Sequence, residues 1–217
     1  MTPIRTLIAD DHQILREGLR ALLQKERDFQ VVAEAGDGQT AARLAAELQP
    51  DVIVMDVSMP ILNGIDVARQ VSRDMPKTRI IVLSANLDEM TATAALHAGV
   101  HGLVPKASAF EEVVNAIRTV IKGQQYLSPE ITADVMNRFL APAESADKSS
   151  VYAALTPTER QVLQLIAEGL ATKQIAIQLN RSVKTVETHR RNLMEKLNID
   201  NVAGLTRYAV RQGIAAP

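Results

Sequence analysis

Five short apolar runs, each followed by a longer stretch with helical spacing, organise the first 122 residues of the chain. The runs are IRTLIA, QVVAEA, DVIVM, RIIVLS and HGLVP. The stretches that follow them are HQILREGLRALLQKE, GQTAARLAAELQ, NGIDVARQVSRDM, DEMTATAALHAG and SAFEEVVNAIRTVIKG, the last opening on a capping box of Ser108 and Glu111. Such alternation predicts βαβ units, a parallel sheet with helices on both faces. The third run is the most telling. It is apolar from Val52 to Met55, ends in Asp56 and is bounded by Pro50 and Pro60. A run of that kind reads as a buried strand carrying a carboxylate to its carboxyl end, the edge where open α/β sheets bind ligands.

The pattern then changes. LSPEITADVMNRFL predicts one helix capped by Ser128 with Pro129 in its first turn, and APAESADKSS, residues 141–150, reads as a linker. Beyond it no strand signal remains. TPTERQVLQLIAEG opens on a second capping box, Thr156 with Glu159, has Pro157 at its first helical position and ends at Gly169. TKQIAIQL, the three-residue break NRS, VKTVETHRRNLMEKL and NVAGLTRYAVRQ complete four helices, and the break has the length of a helix-turn-helix. The expected fold class is therefore an α/β flavodoxin-like domain, five parallel strands in order 2-1-3-4-5, followed by an all-α four-helix helix-turn-helix domain. The expected boundaries are 1–123, a linker with one helix over 124–153, and 154–217.

Charge follows the same division. Residues 1–123 carry 13 basic and 16 acidic side chains, residues 124–153 carry 2 and 4, and residues 154–217 carry 9 and 5. A basic tail on an acidic body predicts an anionic partner for the tail alone. The chain has no cysteine, which excludes disulfides, thiolate zinc sites and cysteine nucleophiles and fits a reducing compartment. No apolar segment approaches 18 residues and the start has no cleavable-signal pattern, so the expected location is cytoplasmic, with no membrane partner.

In the expected strand order, strand one ends in Asp10 and Asp11, strand three in Asp56, strand four in Ser84 and strand five in Lys106; edge strand two ends in Ala35. Four adjacent strand ends thus converge on one region. Three close carboxylates require a counter-charge, and a hard divalent cation, Mg²⁺, suits oxygen donors. Lys106 adds positive charge and Ser84 a hydroxyl donor. The set fits phosphoryl transfer to Asp56, giving an acyl phosphate, with Asp10 and Asp11 holding the metal. The plainer reading makes Asp11 a cap for the helix from His12 and Lys106 a solvated charge.

At these residues the sequence resembles the receiver domains of bacterial response regulators over residues 4–122: ADD after strand one, MDVSMP followed by NG, LSA after strand four and PK after strand five. The resemblance implies that Asp56 takes phosphate from a sensor histidine kinase. It implies that Asp11 binds Mg²⁺ directly, Asp10 through water and the Ser58 backbone carbonyl beside them, with Ser84 and Lys106 sensing the phosphate. Leu103 departs from the pattern, since many receivers carry a mobile aromatic residue three positions before the lysine. Pro105 lacks a backbone donor and makes strand five a candidate edge.

In VKTVETHRRNLMEKL, Val186, Leu193 and Leu197 share one face, and Lys184, Glu187, Thr188, Arg191 and Glu195 the other. Residues 181–196 hold five basic groups and two acids, which favours DNA phosphates. LTPTERQVLQLIAEGL, KQIAIQL and SVKTVETHRRNLMEKL resemble the LuxR-type DNA-binding domain over residues 155–213. That resemblance implies Glu187, Thr188 and Arg191 at bases and Lys184, Thr185, His189 and Arg190 at phosphates. Arg181 stands where many members are apolar. His97 and His101 straddle Gly99 and are not read as a metal pair.

Both resemblances together identify the chain as similar to the NarL/FixJ two-component response regulators, not enzymes. The family implies a sensor kinase, a duplex operator and a phosphorylation-dependent homodimer, and leaves RNA polymerase open as a further partner. Three rivals stand beside it. A regulator of this architecture could act without phosphorylation. An aspartate-nucleophile phosphatase needs a second acid two residues after its nucleophile, where Ser58 stands. A ligand sensor needs an aromatic-lined pocket, and only 3% of residues are aromatic.

Overall fold

The computed structural model describes residues 2–85, 89–108, 110–129, 131–132, 155–212 and 214. The predicted linker 141–150, most of the helix expected over 127–140 and part of the Ser108–Glu111 box lie outside those residues. The chain divides into two compact units, residues 1–140 and 141–217.

The first unit is a parallel sheet of six strands in order β2-β1-β3-β4-β5-β6. The strands are β1 (Ile4–Ala9), β2 (Phe29–Ala35), β3 (Val52–Asp56), β4 (Arg79–Ser84), β5 (Gly102–Pro105) and β6 (Tyr126–Leu127). The helices between them are α1 (Gln13–Leu23), α2 (Gly38–Leu48), α3 (Gly64–Asp74), α4 (Glu89–His97) and α5 (Phe110–Ile121). All five residues of β3 are buried, because this central strand is covered on both faces. Its alternate side chains enter two separate cores. Ile53 and Met55 join Ala41, Ala45, Val67, Val71, Ala92 and Ala95 from α2, α3 and α4. Val52 and Val54 join Leu19, Leu23, Val113 and Ile117 from α1 and α5. The five predicted strands, the five helices predicted to follow them and the strand order are present.

β6 is the addition, and it corrects the expectation that β5 is the edge. Tyr126 and Leu127 pair with Gly102 and Leu103, and the Ser128 amide donates to the Leu103 carbonyl at 3.0 Å. The partner strand stops before Pro105, which has no amide hydrogen to offer it. A helical turn follows, with Pro129 at its start as expected. The Ser128 hydroxyl is not the expected cap: the Ser128 carbonyl takes the Ile131 and Thr132 amides at 3.0 Å, and the buried hydroxyl has no partner. Leu103 is fully buried in the same core as Ile131.

Among its described residues the second unit holds four helices, α6 (Pro157–Ala167), α7 (Thr172–Gln178), α8 (Val183–Leu197) and α9 (Val202–Arg211). The capping box predicted at Thr156 and Glu159 is formed, with Pro157 at the first position. α6 is the scaffold and packs against the other three. Its buried Val162, Leu163 and Leu165 answer Ile175, Val186, Leu193, Leu205 and Ala209. The break between α7 and α8 is tight because Asn180 is left-handed and the Arg181 amide returns to the Ala176 carbonyl at 2.9 Å. Ser182 then caps α8 by accepting from the Thr185 amide.

Candidate functional site

The β1, β3 and β5 ends bring Asp10, Asp56 and Lys106 into contact. Parallel register places Ala9 beside Met55 and Asp56 beside Leu83, so Asp10 and Ser84 each fall one residue past a paired position. The Lys106 amide donates to the Ser84 carbonyl at 2.9 Å, which ties the β5 end to the β4 end. Behind Asp56, the loop into α3 folds back tightly: the Gly64 amide donates to the Val57 carbonyl at 2.8 Å. A β-carbon at Gly64 would collide with the Asp56 carbonyl oxygen, which is why only glycine fits there. Asn63 caps α3 through the Asp66 amide.

Lys106 Nζ lies 2.7 Å from Asp10 Oδ2 and 2.9 Å from Asp56 Oδ2. Asp10 is 1% exposed and Asp56 3%. Burial raises the Asp56 pKa above its usual value, and the Asp10 charge adds to the rise against the pull of Lys106 and the Ser58 amide. Burial alone would lower the Lys106 pKa, but its hydrogen bonds to Asp10 and Asp56, with their charges, move it up. Asp11 lies at the rim, and Ser84 is buried at the adjoining strand end. The plainer readings of two residues fail. His12, not Asp11, stands before the first turn of α1, and Lys106 is a half-buried, doubly paired cation.

His12 completes the cluster, and sequence reading took it only as the start of a helix. Its Nδ1 lies 2.7 Å from Asp11 Oδ1 and 3.1 Å from Asp10 Oδ1, and its amide donates to Asp10 Oδ1 at 2.9 Å. Adjacency to two acids was the available signal. Arg16 steadies the turn by donating to the Asp10 carbonyl at 2.6 Å. Asp10, Asp11, His12 and Asp56 each present a donor atom within 4.8 Å of the others. The set fits a divalent cation. Asp10 Oδ2 is buried and faces the Lys106 ammonium at 2.7 Å. A single ammonium serves two buried carboxylates, leaving room for more positive charge.

On α8, Val186 and Leu193 are buried and Leu197 half-buried, whereas Lys184, Glu187, Thr188 and Arg191 are exposed. Thr185, His189 and Arg190 are half-buried beside them. The Thr188 hydroxyl donates to the Lys184 carbonyl at 2.9 Å, and the Thr185 and Ser182 hydroxyls share a bond of 2.8 Å. Lys196, counted among the five basic groups of this segment, is engaged by Glu159 of α6 at 2.7 Å. Elsewhere, His101 is held between Arg79 and the Ile80 amide, and burial and the Arg79 charge lower its pKa.

Comparison with known proteins agrees with both halves. Residues 6–118 match the response regulator receiver domain, and residues 153–209 match the bacterial regulatory proteins of the luxR family. The transcriptional regulatory protein LiaR of Bacillus subtilis (strain 168) is 36% identical over 208 residues, covering 96% of this chain and 97% of LiaR. The response regulator UvrY of Escherichia coli (strain K12) is 34% identical over 97% of this chain and 95% of UvrY. Among solved structures, the Salmonella typhimurium response regulator RcsB aligns with a TM-score of 0.61 at 29% identity over 99% of this chain and all of that one. A complex of RcsB with DNA aligns at a TM-score of 0.59 and 28% identity over 95% of this chain and 98% of that one. The chain belongs to the response regulators that join a receiver domain to a LuxR-type DNA-binding domain.

Proposed function

We propose that Asp56 is the phosphoacceptor of a two-component transcription regulator and that the acidic pocket is its Mg²⁺ site. The observation that carries this reading is the single Lys106 ammonium shared by two buried acids, 2.7 Å from Asp10 and 2.9 Å from Asp56. Asp11 would hold the ion directly and Asp10 through water, with the Ser58 carbonyl beside them, and the bound ion would offset negative charge on the phosphoryl oxygens. An Asp56 carboxylate oxygen attacks the phosphorus of a phosphohistidine on a sensor kinase. The new P–O bond forms as the P–N bond breaks, and the kinase imidazole leaves. Lys106 and the Ser84 hydroxyl then hold phosphoryl oxygens. Ser58 supplies no carboxyl two residues after Asp56, so the acyl phosphate lacks a general acid for rapid hydrolysis. This marks a regulator, not a phosphatase.

Phosphorylation adds roughly −1.5 to −2 charge by analogy with phosphoserine. The loops after β3, β4 and β5 shift in response and expose a dimer surface or free α8. Residues 124–153 act as the linker between receiver 1–123 and DNA-binding domain 154–217. Glu187, Thr188 and Arg191 read bases, and Lys184, Thr185, His189 and Arg190 hold phosphates of a duplex operator. A homodimer engages two half-sites, and the protein works in the cytoplasm. The names of LiaR as a transcriptional regulator and of RcsB in complex with DNA support this reading.

Acetyl phosphate or beryllofluoride with Mg²⁺, followed by mass, oligomer size and operator binding, tests it. Wild type is expected to be modified, to dimerise and to bind DNA more tightly, and Asp56→Ala to do none of these. Wild type that stays unmodified yet binds DNA fully points instead to a regulator independent of phosphorylation.

A further inference from the structure

We infer that Glu187 commits each operator half-site to a cytosine, because its carboxylate accepts from that base's major-groove amine. The inference rests on the reading that α8 lies in the major groove, and it assigns a base which that reading leaves open. Glu187 is exposed on one face of α8 between two other exposed side chains, Lys184 three residues before it and Arg191 four after. Its carboxylate is uncommitted. Of the five acids in residues 154–217, Glu159 bonds Lys196, Glu168 accepts from Gln164 and Asp200 accepts from Asn201. Among the described residues neither Glu187 nor Glu195 has such a partner. A glutamate four residues before an arginine is well placed for a helix ion pair, yet Glu187 and Arg191 stay apart.

A helix facing duplex DNA gains from each cation and loses from each anion, whatever the sequence, because phosphates attract the one and repel the other. An acid among the base-facing side chains therefore weakens binding to all duplexes alike, unless a base returns the interaction. In the major groove only cytosine N4 and adenine N6 carry hydrogen-bond donors. Adenine sets its N7 acceptor beside that amine, where it repels a carboxylate, whereas cytosine offers the amine without an acceptor of its own. Cytosine is the base that suits an unpaired acid. The flanking Lys184 and Arg191 suit guanine O6 and N7, which the same base pair presents beside the amine. Thr188 does not compete for the carboxylate, since its hydroxyl is donated to the Lys184 carbonyl at 2.9 Å.

The test uses the full chain with beryllofluoride and Mg²⁺, and half-sites selected from a pool of randomised duplex. Mobility shifts then compare the selected site with versions that carry each alternative base pair at every position. Wild type is expected to prefer cytosine by about tenfold or more at one position of each half-site. Glu187→Gln is expected to move the preference there to adenine, whose N6 and N7 a carboxamide meets together. Glu187→Ala is expected to accept every base pair at that position within about twofold and to keep the wild-type preferences elsewhere. It should also bind unrelated duplex more tightly than wild type, having lost a negative charge. Glu195→Ala removes an equal charge from the same helix and is expected to tighten binding to every duplex with no position flattened. Glu187→Ala that keeps the wild-type preference throughout, or flattens a position holding another base, overturns the inference and leaves α8 standing as the reader. Wild type that selects no sequence from the pool overturns the reading of α8 itself and the inference with it.

Discussion

Asp56 and Glu159 are both 3% exposed, and each has a lysine ammonium within 2.9 Å, yet their acidities move in opposite directions. Burial raises the Asp56 pKa, and the Asp10 charge adds to it, with Lys106 and the Ser58 amide only partly compensating. Burial also acts to raise the Glu159 pKa, but Lys196 and the Thr156 amide and hydroxyl outweigh it and hold the group below its usual value. The difference lies in the stronger desolvation of Asp56, the largest influence on it, and in the company each acid keeps. Glu159 has its lysine to itself and a capping-box amide at 2.8 Å besides. Asp56 divides its lysine with a second acid. The C-terminal acid is satisfied and contributes to structure, whereas the N-terminal one is left short of positive charge.

Removing the cations should separate the two most sharply. Lys106→Ala leaves two buried acids facing each other and is expected to cost about 3 kcal/mol of first-unit stability, measured by urea unfolding monitored with hydrogen exchange. If Asp56→Asn in the same background restores little of that loss, the shared lysine is not what balances the pocket.

Arg191 tests the exposed face of the helix whose Lys196 is tied to Glu159. Arg191→Ala is expected to weaken specific operator binding by about 1–3 kcal/mol, read by mobility shift against unrelated duplex. Binding equal to wild type removes Arg191 from base recognition.

Asp56→Asn is expected to raise stability at neutral pH, by less than Lys106→Ala lowers it. The sign follows from the raised pKa. The folded state holds the Asp56 proton more tightly than the unfolded chain, so wild-type stability falls as pH rises from 3.8 through the folded value and is level above it. The advantage of the variant should therefore grow across that window in thermal melts at stepped pH. An advantage independent of pH would contradict the burial argument.

Glu159→Gln carries the smallest expected effect and the opposite pH trend. It should cost about 1 kcal/mol at neutral pH through the weakened cap. The stabilisation that wild type draws from the lowered pKa is complete above 4.5 and lost as pH falls through the folded value. The gap between the two proteins should then narrow in acid.

Periodic features were legible in the sequence and contacts across the chain were not. β3 could be read from Val52–Met55 because a buried parallel strand is a continuous apolar run, and the Thr156–Glu159 box because its partners are three residues apart. Asp10, Asp56 and Lys106 could be placed together because parallel topology sends every strand end to one edge. β6 escaped because two residues carry no alternation. Lys196 reaches Glu159 across 37 residues, and Arg118 clamps Asp28 across 90, so neither pairing leaves a local trace. His12 escaped because a ring nitrogen aimed backward at its predecessors looks like any helix start.

The short β6 strand also bears on how the molecule avoids other chains. An open sheet rim is a template on which foreign strands can add and seed aggregates. Here Tyr126 and Leu127 occupy the rim beside Gly102 and Leu103, and Pro105 continues it with a position that lacks a donor. An intruding strand therefore finds the first rungs of β5 taken and the next one blank, so β5 itself gives little purchase for edge-to-edge growth.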